Sequence, residues 1–176
     1  DIRGARQRGW SAGPPDDRRH AHQGPQNSSK PAKKGDAPRS IGRSRGGLTT
    51  KLHAVTDGAG KPVLLHLTAG QTSDYKGAAA LVDKLPEAKE ILADRGYDAD
   101  WFRNALIEKG ISPCIPPRKH RKVQYAYDAT LYKQRHKIEN MFGWLKDWRR
   151  IAMRYDRCAH TFFSAVCIAA FVIFWL

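Results

Sequence analysis

The chain is short of acids and of cysteine. Its 176 residues hold 17 Asp and Glu against 31 Lys and Arg, a formal net charge of +14 with a pI near 10.0. Such an excess points to a polyanionic partner, nucleic acid before an anionic membrane. Cys114, Cys158 and Cys167 are an odd set without close spacing. That excludes a disulfide framework and a Cys-rich zinc site, and suits free thiols in a reducing compartment. The seven His show no H-x3-H or similar spacing, so no zinc site is assigned. The N-terminus has no apolar segment of the secretory kind. The one apolar run, Phe162 to Leu176, falls short of the roughly 20 residues that span a bilayer. It is expected to be a buried helix closing the core, with a tail anchor as the alternative. A hydrophobic content of 41% excludes a wholly disordered chain, and the length suits one domain.

Residues 1–47 carry eleven Lys and Arg and four Asp and Glu among many Gly, Pro, Ser and Gln, without apolar periodicity. This reads as a disordered basic arm, with the boundary set near residue 40. From Leu48 the pattern changes. LTTKLHAVTD alternates like a strand, DGAGKP is a turn, and PVLLHLTAG is a second strand, so 48–69 reads as a hairpin with His53 and His66 as sheet residues. DYKGAAALVDKL has helical spacing, and EILAD is a short buried strand ending at Asp94. Asp100 is a candidate cap for the helix WFRNALIEKG, which Gly110 ends. ISPCIPP is a further short strand, and PRKHRKVQYAYD is a basic loop. DATLYKQRHKIENMFGWLKDW is a long helix with Asp128 as its N-cap. Trp144 and Trp148 on it are expected to pack into the core, with base stacking by Trp144 as the alternative. The order ββαβαβα plus a last helix gives a mixed α/β sheet with helices on both faces.

Asp94 leaves a buried strand at its C-terminal end, where open α/β sheets build their sites. An Asp there is often only a turn former. Glu139 borders the apolar stripe of the long helix, where Glu commonly pairs with Lys. Together, a strand-end Asp and a helix Glu are the oxygen ligands a divalent cation takes. Tyr132, Arg135, Glu139 and Lys146 form the pattern Y-x2-R-x3-E-x6-K. Offsets of three, four and seven put all four on one helix face. Arg and Lys there suit phosphate, and Glu suits metal. A solvated face with i,i+4 pairing is the plain alternative, and the residues alone leave both open. Arg118, Lys119, Arg121 and Lys122 in the basic loop are candidate DNA-backbone contacts.

Over about Ala32 to Leu176 the chain resembles the DDE transposases of bacterial insertion sequences, the class marked by a Y-R-E-K helix. The matching stretches are I-G-R-S-R-G-G-L-T-T-K-L-H-A-V-T-D (41–57), L-T-A-G-Q-T-S-D (67–74), A-D-R-G-Y-D (93–98) and the helix above. The resemblance implies a ribonuclease-H-like catalytic domain over 41–176. It implies Asp94 and Glu139 as the second and third catalytic acids and metal ligands, with Mg²⁺ or Mn²⁺ as cofactor. It makes Tyr132, Arg135 and Lys146 residues that engage DNA. It further implies transposon ends and target DNA as partners, a homo-oligomer at synapsis, no membrane, and a cytoplasmic, nucleoid-associated site of action.

The family's first acid, on a first strand resembling M-I-D-x-T-H-x-K-A-H, has no counterpart here. Asp16, Asp17 and Asp36 lack a strand context. Codon degeneracy suggests why. Read one nucleotide later, Asp16 to Pro25 permits M-I-D-A-T-H-I-K-A, with the lost acid codon straddling Arg18 and Arg19. Residues 1–15 shifted alike permit an amphipathic helix. Ala32-Lys33-Lys34-Gly35 is compatible with GCG AAA AAA GG, which holds the slippery heptamer A AAA AAG in the upstream frame. Residues 1 to about 33 thus read as an out-of-frame translation, with the upstream-frame product as the missing partner. A frameshift fusion, a decayed pseudogene and a genuine basic arm remain alternatives. Two function classes follow: a metal-dependent transposase inactive without its first acid, or a non-catalytic DNA-binding remnant or regulator of transposition.

Overall fold

The computed structural model describes residues 7–9, 39–44 and 47–176. Apart from 7–9 and 39–40, the expected arm, the candidate junction at 32–35 and Asp16, Asp17 and Asp36 lie outside the described residues. Gln7–Gly9 (β1) is a strand, paired parallel to β3 with Gln7 opposite Leu52 and Gly9 opposite Ala54. The expectation of an unstructured arm therefore fails at these three residues. An open strand edge offers unpaired N–H and C=O groups that accept any extended backbone.

Gly42–Ser44 (β2) and Gly47–Thr56 (β3) pair antiparallel, and β3 pairs with Pro62–Ala69 (β4) as the expected hairpin. Its turn is fixed by Asp57, whose Oδ1 accepts from the N–H groups of Ala59 and Lys61, both at 2.9 Å. Gly60 there has φ +92°, a conformation costly for any residue with a Cβ. Since Leu52–Ala54 pair with both β1 and β4, those two strands flank β3 on opposite edges.

Strand alternation makes β3 the divider of two cores. Leu52 and Ala54 face Ile138, Met141, Phe142 and Leu145 of α4 (His136–Asp147) and Phe162, Val166, Ala169, Ala170 and Phe174 of α6 (Ala159–Trp175). Val55 faces the other way, toward Ala78, Leu81 and Val82 of α1 (Asp74–Val82) and Phe102 and Leu106 of α2 (Asp100–Glu108). Helices thus cover both faces of a mixed α/β arrangement, as expected. Lys51 points to the α1 side and is buried there. Its ammonium donates to the Thr72 carbonyl and lies 3.1 Å from Asp74 Oδ1.

Glu90–Leu92 (β5) and Ser112–Cys114 (β6) form a parallel pair joined through α2, which ends at Gly110 with φ +73°. Among the described residues no strand ladder joins this pair to the hairpin sheet. The sheet is in two pieces.

Four local expectations change. Asp128 caps as expected, accepting from the N–H groups of Thr130 and Leu131 at 2.7 and 3.0 Å. The helix it starts is interrupted, however: Ala129–Tyr132 (α3), a 3₁₀ turn at Lys133–Arg135, then α4. α3 buries no residue, so only from Ile138 onward does core packing hold the α-helical register. Asp100 does not cap α2; Ala99 precedes the helix and the Asp100 carboxylate turns to Arg121 and Tyr125. Trp144 and Trp148 are not core residues. Trp144 is 53% exposed, with its ring 5.5 Å from that of Phe174. The last helix buries one face only, since a cylinder lying on the sheet covers half its circumference. Among the described residues no helix is long and apolar enough to cross a membrane.

Gly77 in α1 lies against the His53 imidazole, and a Cβ there would collide with the ring. His53 is fully buried and accepts or donates at Thr68 Oγ1 over 2.8 Å, so it has little room to retreat. Gly77→Ala is expected to destabilise the chain by about 1–3 kcal/mol, read as a lower urea midpoint at unchanged slope.

Candidate active site

β5 runs through buried Ala93, whose N–H reaches the Cys114 carbonyl at 3.3 Å, and delivers Asp94 at its end. There the chain makes a 3₁₀ turn, Arg95–Tyr97. Asp94 caps it in extended geometry, Oδ1 accepting from Gly96 N–H at 2.7 Å. The turn-forming reading of Asp94 is therefore real, and it fixes one carboxylate oxygen while the residue stays at the margin of burial.

The long helix comes to Asp94 through Tyr132. Burial raises the Tyr132 phenol above its ordinary pKa, and the Asp94 charge adds to this, while Arg135 and Arg95 oppose it. Tyr132 and Arg135, three apart across the 3₁₀ turn, stand one above the other. The guanidinium lies 5.6 Å from the phenol ring centre. Arg135 Nη2 in turn lies 3.0 Å from Glu139 Oε1, an i,i+4 ion pair whose side chains are both mostly covered. Tyr132, Arg135 and Glu139 thus form one run of contacts along the helix, and the Asp94 charge is felt at its Tyr132 end. Lys146 stands on the exposed side two turns along α4, about 10 Å from Glu139 by helical rise.

The basic loop does not present all its cations alike. Lys119 and Lys122 are exposed. Arg121 is held inside: Nη1 lies 3.1 Å from Asp98 Oδ1, Nη2 pairs with Asp100, and its guanidinium lies 4.7 Å from the Tyr125 ring. Arg118 stacks 4.9 Å over Tyr75 and donates to the Gly96 carbonyl at 3.2 Å.

The hub of this loop is Asp98, whose side chain has no exposed surface. It accepts from Arg103 Nε at 2.9 Å, from Arg121 Nη1 and from the backbone N–H of Arg118 at 2.8 Å. Arg103 also donates to the Ile115 carbonyl at 2.7 Å and lies 4.4 Å from the centre of the Tyr125 ring. Sequence reading passed over Asp98, Arg103 and Tyr125. The available signal was the second acid of A-D-R-G-Y-D, four residues after Asp94 and in the same turn.

As a cation site the described residues are incomplete. No three His, Cys, Asp or Glu side chains converge among them. Asp94 gives one oxygen to its own turn, while Glu139 Oε1 lies 3.0 Å from Arg135 Nη2 as an ion pair without accepting a hydrogen bond. A divalent ion takes about six oxygen ligands, and Mg²⁺ is commonly held by one or two carboxylates together with waters and substrate phosphates.

The chain belongs to the family described as the transposase DDE domain, which matches residues 16–174. That match begins upstream of Ala32, inside the segment read as out of frame. Among its relatives, the transposase of insertion sequence element IS6501 from Brucella ovis is 37% identical over 131 residues, covering 73% of this chain and 99% of the relative. That of IS402 from Burkholderia cepacia is 30% identical, over 78% of this chain and 67% of the relative. That of IS1106 from Neisseria meningitidis serogroup B is 30% identical, over 64% of this chain and 40% of the relative. No solved structure matches the chain, so the ribonuclease-H-like fold rests on the family resemblance.

Removing the Asp98 carboxylate leaves Arg103 buried without its counter-charge. Asp98→Ala is expected to cost about 3–5 kcal/mol. Arg121→Ala, at a partly exposed site, costs less. Urea denaturation of both variants checks the order.

Proposed function

We propose that this chain is the downstream part of a DDE transposase, binding DNA by itself and cutting it only when a first acid is supplied. The observation that carries the reading is the run of contacts Tyr132–Arg135–Glu139, with the Asp94 charge acting on its Tyr132 end. In this reading Asp94 and Glu139 are the second and third acids. Tyr132, Arg135 and Lys146 engage the DNA end. In this reading the upstream-frame strand takes the β3 edge that β1 holds here, pairs with β5 as well, and brings the first acid beside Asp94. With three acids the site takes Mg²⁺ or Mn²⁺. The reaction of the completed enzyme is hydrolysis of a phosphodiester at the element's end, then attack of the freed 3′-hydroxyl on target DNA.

The second reading, a DNA-binding remnant or regulator of transposition, rests on the sequence, where Asp16, Asp17 and Asp36 stand outside any strand pattern that would make one the first acid. The two separate on one experiment. The frame upstream of the A-K-K-G junction is restored in the gene, and strand cleavage of element-end DNA is measured for both products with Mg²⁺. Gain of cleavage on restoration, lost again on Asp94→Asn or Glu139→Gln, supports the transposase reading. No gain leaves only the remnant.

DNA affinity of the chain is expected to fall steeply with salt, since phosphate contacts release counterions. Lys119→Ala and Lys122→Ala each lower the slope of log K against log salt by about 0.9, without regard to sequence. A filter-binding series over salt concentration measures it, and unchanged slopes would remove these lysines from the contact.

A further inference from the structure

A run of polar contacts crosses between the two pieces of the sheet at the end where Asp94 lies. It begins at β3. The buried Lys51 ammonium donates to the Thr72 carbonyl and lies 3.1 Å from Asp74 Oδ1, which fixes the start of α1. The next residue, Tyr75, is half-buried and carries the Arg118 guanidinium over its ring at 4.9 Å. Arg118 Nη2 donates in turn to the Gly96 carbonyl at 3.2 Å. Gly96 N–H is the group that holds Asp94 Oδ1 at 2.7 Å. The backbone N–H of Arg118 meets Asp98 Oδ2 at 2.8 Å, at the far end of the same turn. Arg118 thus grips the turn after Asp94 at two points and leans on α1 with its side chain.

We infer that Arg118 is a positioning residue for Asp94, with Tyr75 as its platform, and not a DNA-backbone contact. The inference rests on the transposase reading in one respect, that Asp94 is the strand-end acid of the site. Three physical points carry it. The first is engagement. Arg118 is exposed like Lys119 and Lys122, so exposure does not separate them. An arginine that stacks on a ring and donates to a carbonyl is already using the planar fork that phosphate recognition needs. The second is geometry. A 3₁₀ turn has poor hydrogen-bond geometry of its own, so a turn that aims a carboxylate needs support from outside it. The third is place. Among the described residues β5 and β3 share no ladder, so strand pairing does not set the distance from Asp94 to β3. At the site end the run from Lys51 through Asp74, Tyr75 and Arg118 to Gly96 sets it, above the apolar core that both pieces share. In the transposase reading, that distance fixes how far Asp94 stands from a first acid carried beside β3.

Amide hydrogen exchange of the full chain, read by NMR, tests the clamp without DNA or metal. Arg118→Ala, Arg118→Lys and Tyr75→Leu are compared with the native chain, with the amides of β3 as the internal measure of global stability. Each variant is expected to speed exchange at Gly96 about tenfold while β3 is unmoved. Lysine does not rescue, because a point charge cannot stack and donate in one plane. Should Arg118→Ala fail to fold, the other two variants carry the same expectation. The variants are also taken through the DNA salt series, where Arg118→Ala is expected to leave the slope of log K against log salt unchanged. A slope lower by about 0.9 would make Arg118 a phosphate contact and overturn the inference, and so would native exchange at Gly96. In the restored-frame product, Arg118→Lys is expected to raise the Mg²⁺ concentration for half-maximal cleavage several-fold at unchanged DNA affinity. An unchanged Mg²⁺ dependence there also overturns it. A restored product that cuts no DNA sinks the transposase reading alone, and exchange at Gly96 still decides the role of Arg118.

Discussion

Asp98 and Arg103 form the buried pair on which the site side of the molecule rests. One carboxylate without exposed surface holds an arginine of α2, an arginine of the basic loop and the backbone where that loop leaves β6. Arg103 then grips the end of β6 through the Ile115 carbonyl. A charge buried this deeply is tolerated because both carboxylate oxygens meet donors, two of them guanidinium groups. The result is mechanical. The turn after Asp94, the helix that follows and the loop that precedes α3 are tied at one point, so Asp94 and the loop lysines cannot move independently. Tyr125, with the guanidiniums of Arg103 and Arg121 near its ring, closes the cluster.

The second constraint is the double duty of β3. Its alternate residues serve two cores, and each of its edges already carries a strand over 52–54. β5 and β6 form a separate pair. A sheet divided in this way still has both helical layers in place, because the helices are held by side chains from β3 and from one another. Strand pairing and helix packing are partly independent sources of order here.

Charge distribution separates two roles among the cations. Arg103, Arg121 and Arg135 are engaged with carboxylates, and Arg118 with an aromatic ring and a carbonyl. Lys119 and Lys122 are exposed. Arginine, with its planar fork of donors, suits the first task; lysine, a hydrated point charge on a flexible stem, suits contact with a backbone of phosphates. Arg154 is a further internal cation. It takes the left-handed conformation, lies over Phe162 at 4.8 Å and donates to the Arg39 carbonyl. Burial lowers its pKa to about 10.

Local signals in the sequence determined most of the element order. Asp128 as a cap, Gly110 as a stop, the Asp57–Lys61 turn and the strand ending before Asp94 each depend on residues within a few positions of one another, and each is found. The facing of Tyr132, Arg135 and Glu139 was legible from helical spacing, although the 3₁₀ turn that aligns the first two was not. That turn follows from where core packing begins, at Ile138, and propensity does not report it. Tertiary structure alone decided the rest. Asp98 and Arg103 are five apart in sequence, but the Arg118 N–H and Arg121 come from 20 and 23 residues away. The exposed side of α6 was equally hidden, because an apolar run reads the same whether one face or both are covered. Which face meets water depends on what else the chain places beside it, and that is a property of the assembled fold.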